Sequence, residues 1–185
     1  MREADIARLI EIRAGFTSQT RLKVEKSGSG YEVGWRLVEV PLETPYDKGE
    51  GYDFDDEERR LVMQRLARAD SLEEVVIEQA TDRLVGMLDV TEESWNEVAW
   101  VWNIMMDVSV RQQGLGRELT QRTIAWARQR NLRAVMLETQ SNNVPACKFY
   151  VRMGFQLVGI NEALYTNHDY QRDEIGLFWS YPLKP

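Results

Sequence analysis

The stretch "EVAWVWNIMMDVSV", residues 97–110, constrains the fold more than any other. Its apolar residues fall on both faces of an extended chain. Both faces must therefore be covered, and the strand it predicts is central in a sheet. Directly after it, "RQQGLGRELTQRTIAWARQR" turns at two glycines and continues as a helix. At 100° per residue, Leu115, Leu119, Trp126 and Ala127 lie within a sector of about 120°, the face that packs on the sheet.

The flanking segments follow simple periodicities. Residues 3–14 predict an amphipathic helix, with Ile6, Leu9, Ile10 and Arg13 at helical spacing. "TRLKVEK" and "YEVGWRLVEV" alternate with period two around "SGSG", the pattern of a hairpin. "LETPYDKGEGYD" reads as a loop on its prolines and glycines. "DDEERRLVMQRLARAD" predicts a helix whose acids lie at its positive end and whose arginines come later. "EEVVIEQATDRLVGMLDVTEES" predicts a hairpin turning at Thr81-Asp82, and "RAVMLETQ" a further strand. "VPACKFYVRMG" is a short helix with Pro145 at its start, while "FQLVGINEALY" and "DEIGLFWSYPL" are closing strands. No repeat or linker divides the chain, so residues 1–185 read as one domain, a mixed α/β sandwich around one sheet.

Charge is unevenly distributed. The chain carries net −7, yet residues 111–133 hold six arginines against Glu118 alone. Acids gather at 43–58, with Glu50, Asp53, Asp55 and Asp56 among them, and at 89–97, with Asp89, Glu92, Glu93 and Glu97. They read as solvated loops or as a field that gathers a cationic substrate. The overall acidity argues against nucleic-acid binding, which needs a net basic face. No apolar run is long enough to span a membrane, and the amino terminus lacks the apolar core of an export signal, which implies a cytoplasmic protein. A single cysteine, Cys147, excludes an internal disulfide, and a single histidine, His168, excludes a site needing two imidazoles. No structural metal of Cys/His type is expected.

The glycine turn precedes a helix whose first N–H groups have no intrahelical partner, an end that favours anions. Gly114 and Gly116 would let a phosphate approach the backbone, and Arg111 and Arg117 would add charge-assisted hydrogen bonds. The same glycines would also serve a turn with no ligand. Two familiar phosphate motifs do not fit. The ATP-type loop needs Lys-Ser/Thr where Arg117-Glu118 stands, and the dinucleotide fingerprint needs glycine at Leu119.

"MDVSVRQQGLGREL" followed by "LETQSNNVPACKFYVRMGF" resembles the acetyl-CoA core of the GNAT N-acetyltransferase superfamily. "GFTSQTRLKV", "LVEVPL", "ESWN" and "YVRMGFQLVGINEALY" extend the resemblance to its streptothricin (nourseothricin) N-acetyltransferase branch. The resemblance implies a mixed, mostly antiparallel sheet of about seven strands, splayed at the cofactor site and flanked by about four helices. It also implies acetyl transfer from acetyl-CoA to an amine of a cationic small molecule. The loop Arg111, Gln112, Gln113, Gly114, Leu115, Gly116 and Arg117 would bind the CoA pyrophosphate, and Met106, Asp107 and Val108 would pair with pantetheine. Asn143 would hold the cofactor arm, and Tyr150 would protonate the departing thiolate.

Such chemistry also needs electrophilic support for the thioester oxygen, expected from the Met106 N–H, and a base. Asp89, Glu92 and Glu138 are the candidates. Alternatively, Asp89 and Glu92 are hairpin surface and Glu138 pairs with an arginine. Where the branch carries acids on its central strand, this chain has Trp102, Asn103 and Met105, which implies a more apolar acceptor pocket. Trp95, Trp100, Trp102, Met105 and Met106 read as core or as a homodimer interface, and otherwise as an aromatic wall for the acceptor. The rival functions are acetylation of a polyamine, amino acid or protein amine, and a CoA-binding sensor without turnover.

Overall fold

The computed structural model describes residues 1–49, 54–166 and 174–184. Glu50, Asp53 and His168, singled out above, lie outside the described residues. Twelve elements follow in order. They are α1 (Glu3–Ile6), β1 (Thr17–Ser29), β2 (Glu32–Asp47), α2 (Asp56–Leu66), β3 (Ser71–Glu78), β4 (Arg83–Glu93), β5 (Val98–Met106), α3 (Leu115–Gln129), β6 (Ala134–Gln140), α4 (Val144–Met153), β7 (Gln156–Asn161) and β8 (Gly176–Pro182). The fold is mixed α/β and its pairing mostly antiparallel, as the sequence implies. Among the described residues, no helix is long and apolar enough to cross a membrane.

The chain forms two compact units. The first comprises Met1–Gly15, Gly49–Leu137 and Ser180–Pro185; the second comprises Phe16–Lys48 and Glu138–Trp179. In the first, β3, β4 and β5 pair antiparallel, and β5 pairs parallel with β6 over Val98–Val101 and Ala134–Leu137. Val98, Ala99, Val101 and Met105 of β5 are buried, which fits a strand with neighbours on both edges. The second unit holds the β1–β2 ribbon, α4, β7, Glu138–Gln140 of β6 and Gly176–Trp179 of β8.

Three local expectations change. Residues 3–14 are not one helix: α1 ends at Ile6, and a 3-10 turn covers Leu9–Glu11. Long-range partners take the groups a longer helix would use. The Arg13 N–H donates to Asp107 Oδ2 (3.1 Å), and the Glu11 carboxylate accepts from the Leu84 N–H (2.8 Å). Ile6, Leu9 and Ile12 are buried nonetheless, in a core with Val62, Leu84, Met87 and Met105, while Ile10 is exposed. Second, "LETPYDKGEGYD" is partly strand, because β2 continues to Asp47. Pro45 falls in the register break where Ser18 faces Tyr46 and Thr20 faces Pro41, a place where the ladder needs no N–H. Third, the buried face of α3 is Leu119, Thr120, Thr123, Ile124 and Ala127, with Leu115 and Trp126 only half-buried. The two threonines fit because each hydroxyl donates to the carbonyl four residues back, on Gly116 and Leu119.

The acidic clusters are largely paired within the chain. Asp55 caps α2 by accepting from the Glu58 N–H (2.8 Å), Asp56 pairs with Arg59 (2.7 Å) and Glu57 with Arg60 (2.6 Å). The arginines of α3 behave alike. Arg122 bonds Glu118 and Glu74, and Arg130 bonds Glu92 at 2.5 Å. Much of the charge contrast seen in the sequence is therefore short-range pairing rather than a field.

At the end of β5, Asp107 is fully buried and accepts six hydrogen bonds. Arg13 donates its backbone N–H, Nε and Nη2, Arg83 its Nη2, and Ser109 its N–H and Oγ. Burial alone would raise the carboxyl pKa, but the bonds from Arg13 and Ser109 outweigh it and hold the group well below the usual range. Because the folded pKa lies below the unfolded value of 3.8, this stabilisation is fully present above that value and is lost as the pH falls through the folded pKa. Asp107→Ala should cost about 3 kcal/mol, since it leaves the Arg13 and Ser109 backbone N–H groups without their acceptor. Urea unfolding checks this, and the gap between wild type and variant should narrow in strong acid.

Candidate active site

The glycine turn belongs to the first unit. A 3-10 turn, Val108–Val110, follows Asp107; Arg111 is then extended, Gln112 has φ +64° and Gly114 φ +87°. Only Gly114 uses glycine's conformational freedom, because Gly116 already lies within α3. Gly114 is also the N-cap of α3, and a glycine brings no side-chain oxygen to the helix end. The first N–H groups of α3 are thus left uncapped beside exposed Gln112, Gln113 and Gly114, a fit for phosphate oxygens. Arg111 is placed differently from the expectation. Its Nε and Nη2 donate to the Met106 carbonyl (both 3.2 Å), and Nη2 also donates to Ala14 O (2.8 Å). It braces the turn, whereas Arg117 is exposed. The Asp107 side chain, with all its bonds turned inward, offers nothing to a ligand.

Facing residues of β3, β4 and β5 build a polar row in the same unit. Glu73 is opposite Asp89, and Asp89 is opposite Asn103. Asp89 is fully buried rather than hairpin surface. It accepts from Arg65 Nε (2.9 Å) and Nη2 (2.8 Å) and from Asn103 Nδ2 (3.1 Å). Burial pushes its carboxyl up against the opposing pull of Arg65. The Glu73 carboxyl is pushed up to about 7, chiefly by burial. Glu58 of α2 closes the group, accepting from Arg65 Nη2 (3.2 Å) and Asn103 Nδ2 (3.4 Å).

A bulge shapes the strand here. Asp89 faces Asn103 and Val90 faces Val101, so Trp102 is an extra residue in β5. Its indole is half-exposed, with the Arg65 guanidinium 5.1 Å from the ring centroid and Nε1–H donating to Thr91 Oγ1 (2.8 Å). The expectation of an apolar pocket at Trp102, Asn103 and Met105 is therefore only partly met. Met105 is buried, but Asn103 bonds two carboxylates supplied by α2 and β4. Trp95 is exposed.

The second unit carries the other singled-out residues. Asn143 is the N-cap of α4, and its Oδ1 accepts from the Ala146 N–H (3.2 Å), with Pro145 in the first turn. Gly154 closes the helix at φ +92°. Between them, the Tyr150 ring is buried against Phe149, Phe155 and Trp179, with centroids 5.4–6.4 Å away. Among the described residues Glu138 accepts from the Tyr165 hydroxyl, and burial pushes its carboxyl up. Cys147 is buried, and its thiol is pushed up to about 12 by that burial, so it is no nucleophile. Glu92, in the first unit, is committed to Arg130.

Residues 36–155 match the model of the acetyltransferase (GNAT) family. The chain belongs to that family. This GNAT chain is 28% identical over 174 residues to the streptothricin acetyltransferase of Escherichia coli, covering 94% of this chain and 89% of the relative. The crystal structure of nourseothricin acetyltransferase has a TM-score of 0.81 at 29% identity, over 100% of this chain and 96% of that one. A Bacillus anthracis protein crystallised in complex with acetyl coenzyme A shares the fold, with a TM-score of 0.76 at 24% identity over 99% and 97% of the two chains. The GNAT chain is an N-acetyltransferase whose acetyl donor is acetyl-CoA.

Glu58, Arg65, Glu73 and Thr91 went unread in the sequence. The charges of α2 look like a solvated helix face, and only the closure of α2 on β4 and β5 reveals Arg65 as a buried partner. Arg65→Leu should leave the Asp89 carboxylate buried without its cation, at a cost of roughly 3–5 kcal/mol. The double variant Arg65→Leu/Asp89→Leu should recover much of that loss. Chemical denaturation of the single and double variants measures both.

Proposed function

We propose that this chain acetylates a primary amine of a streptothricin-class, cationic antibiotic, working as one domain in the cytoplasm. The observation that carries the reading is near full-length similarity to streptothricin and nourseothricin acetyltransferases, together with an uncapped helix end after the Arg111–Gly116 turn. In this reading, the α3 N–H groups and Arg117 bind the CoA pyrophosphate, with Arg111 holding the turn in shape. Pantetheine runs past Met106–Val108, but the Asp107 and Val108 N–H groups bond Val85 O and Arg13 O and so do not pair with it. Asn143, whose Oδ1 caps α4, has its side-chain N–H2 to donate to the cofactor arm.

The transfer forms a bond from the amine nitrogen to the acetyl carbon and breaks the C–S bond. The amine must first lose a proton. Of the three candidate bases, Glu138 suits this step best, because burial makes its carboxylate more basic and its partner among the described residues is a tyrosine hydroxyl. Asp89 is held by Arg65 and Glu92 by Arg130. Tyr150 gives its hydroxyl proton to the leaving sulfur, and its packed ring fixes the angle of approach.

Gly114→Val should abolish the thermal protection that CoA confers, since a β-branched residue is strained at φ +87° even though its Cβ would meet nothing. Undiminished protection would remove the turn from the phosphate site. Tyr150→Phe should slow turnover by roughly 10²- to 10⁴-fold, with CoA affinity little changed. Thiol release from acetyl-CoA with streptothricin as acceptor measures the rate. In wild type, that rate should fall with decreasing pH as Glu138 protonates, starting above the pH of an ordinary glutamate. Glu138→Gln should flatten this acidic limb.

A further inference from the structure

Trp102 is a large aromatic residue left 49% exposed, yet held by a hydrogen bond, a guanidinium and the edge of Trp100. The Asp89/Val90 register shift makes it the extra residue of β5. Its Nε1–H donates to Thr91 Oγ1 at 2.8 Å, and that hydroxyl, fully buried, donates in turn to Glu93 Oε1 at 2.8 Å. The hydroxyl rotor is therefore set to present a lone pair to the indole. Arg65 lies on the ring at 5.1 Å and is itself fixed by Asp89 and Glu58. These contacts stabilise the fold modestly and also hold the exposed part of the ring in place. A rigid aromatic surface recognises a ligand without losing rotamer entropy on binding.

Glu58 stands beside it, through the shared neighbour Arg65. Its Oε1 takes the bonds from Arg65 and Asn103, while Oε2 bonds nothing among the described residues, on a side chain 37% exposed. A ring face and a free carboxylate oxygen together suit an alkylammonium group, which one attracts by its quadrupole and the other by charge and hydrogen bonding.

We infer that Trp102 and Glu58 form a subsite for an ammonium group of the acceptor other than the one acetylated, with Arg65 and Thr91 as its positioning residues. The inference rests on the proposed reaction for its ligand class, and it adds the residues that select a polyamine arm over a neutral one.

Binding of streptothricin to the full chain without acetyl-CoA, read by calorimetry, tests it apart from turnover. Glu58→Gln keeps an oxygen for Arg65 and Asn103 but removes the charge. It should weaken binding roughly tenfold, the scale of about 1.4 kcal/mol for one such contact. Trp102→Ala should do the same, whereas Trp102→Phe, which keeps a ring, should lose less. Circular dichroism confirms that each variant is folded. Wild-type affinity in both Glu58→Gln and Trp102→Ala, or no binding by wild type, overturns the subsite. Binding by wild type that depends on both residues but releases no thiol from acetyl-CoA supports the subsite and overturns the proposed reaction instead.

Discussion

The first compact unit depends on one buried carboxylate. Asp107 ends the central strand and gathers donors from two distant stretches, residue 13 and the start of β4 at Arg83, and from its own following turn at Ser109. A carboxylate with no exposure would be costly if any of these failed, so the group fixes all three at once. The N-terminal segment is drawn against β5, where the Val108 N–H bonds Arg13 O (3.0 Å) and Arg111 reaches Ala14 O. The glycine turn then leaves the strand in one direction only. An uncapped helix end is useful to a phosphate only if its N–H groups are held in place, and here the holding is done from within.

The second constraint is the inserted residue in β5. A regular strand would alternate its side chains, and Trp102 and Asn103 would face opposite ways. The bulge lets both serve one polar group, with the indole against Arg65 and the amide on Asp89 and Glu58. The surroundings of Asp89 thus differ from those of Glu138. One carboxylate is neutralised by a guanidinium, while the other meets a tyrosine hydroxyl among the described residues. Two acids of similar appearance in sequence, Asp89 fully buried and Glu138 half-buried, become a structural anchor and a candidate base.

Family membership accounts for the donor. In the α2 region Asp56 and Glu57 pair with neighbouring arginines. In the proposed function, recognition of a cationic acceptor falls to a few groups with spare bonding capacity. Glu58 is such a group, since its position on α2 directs one oxygen inward and leaves the other available.

The sequence by itself determined the central strand, the glycine turn and the capped helix α4. Each is written in contiguous residues: apolar side chains on both faces of 98–106, Gly114 before an amphipathic run, Pro145 and Gly154 at the two ends of one helix. The acetyl-CoA core was legible for the same reason. Only the tertiary structure decided that residues 3–14 break into two short turns, that Arg111 braces the loop, and that Asp89 is buried on Arg65. Those outcomes join positions from 24 to 97 residues apart. Periodicity reports which face of an element is covered, but the partner of a buried charge is set by chain closure, and closure leaves no mark in the local pattern.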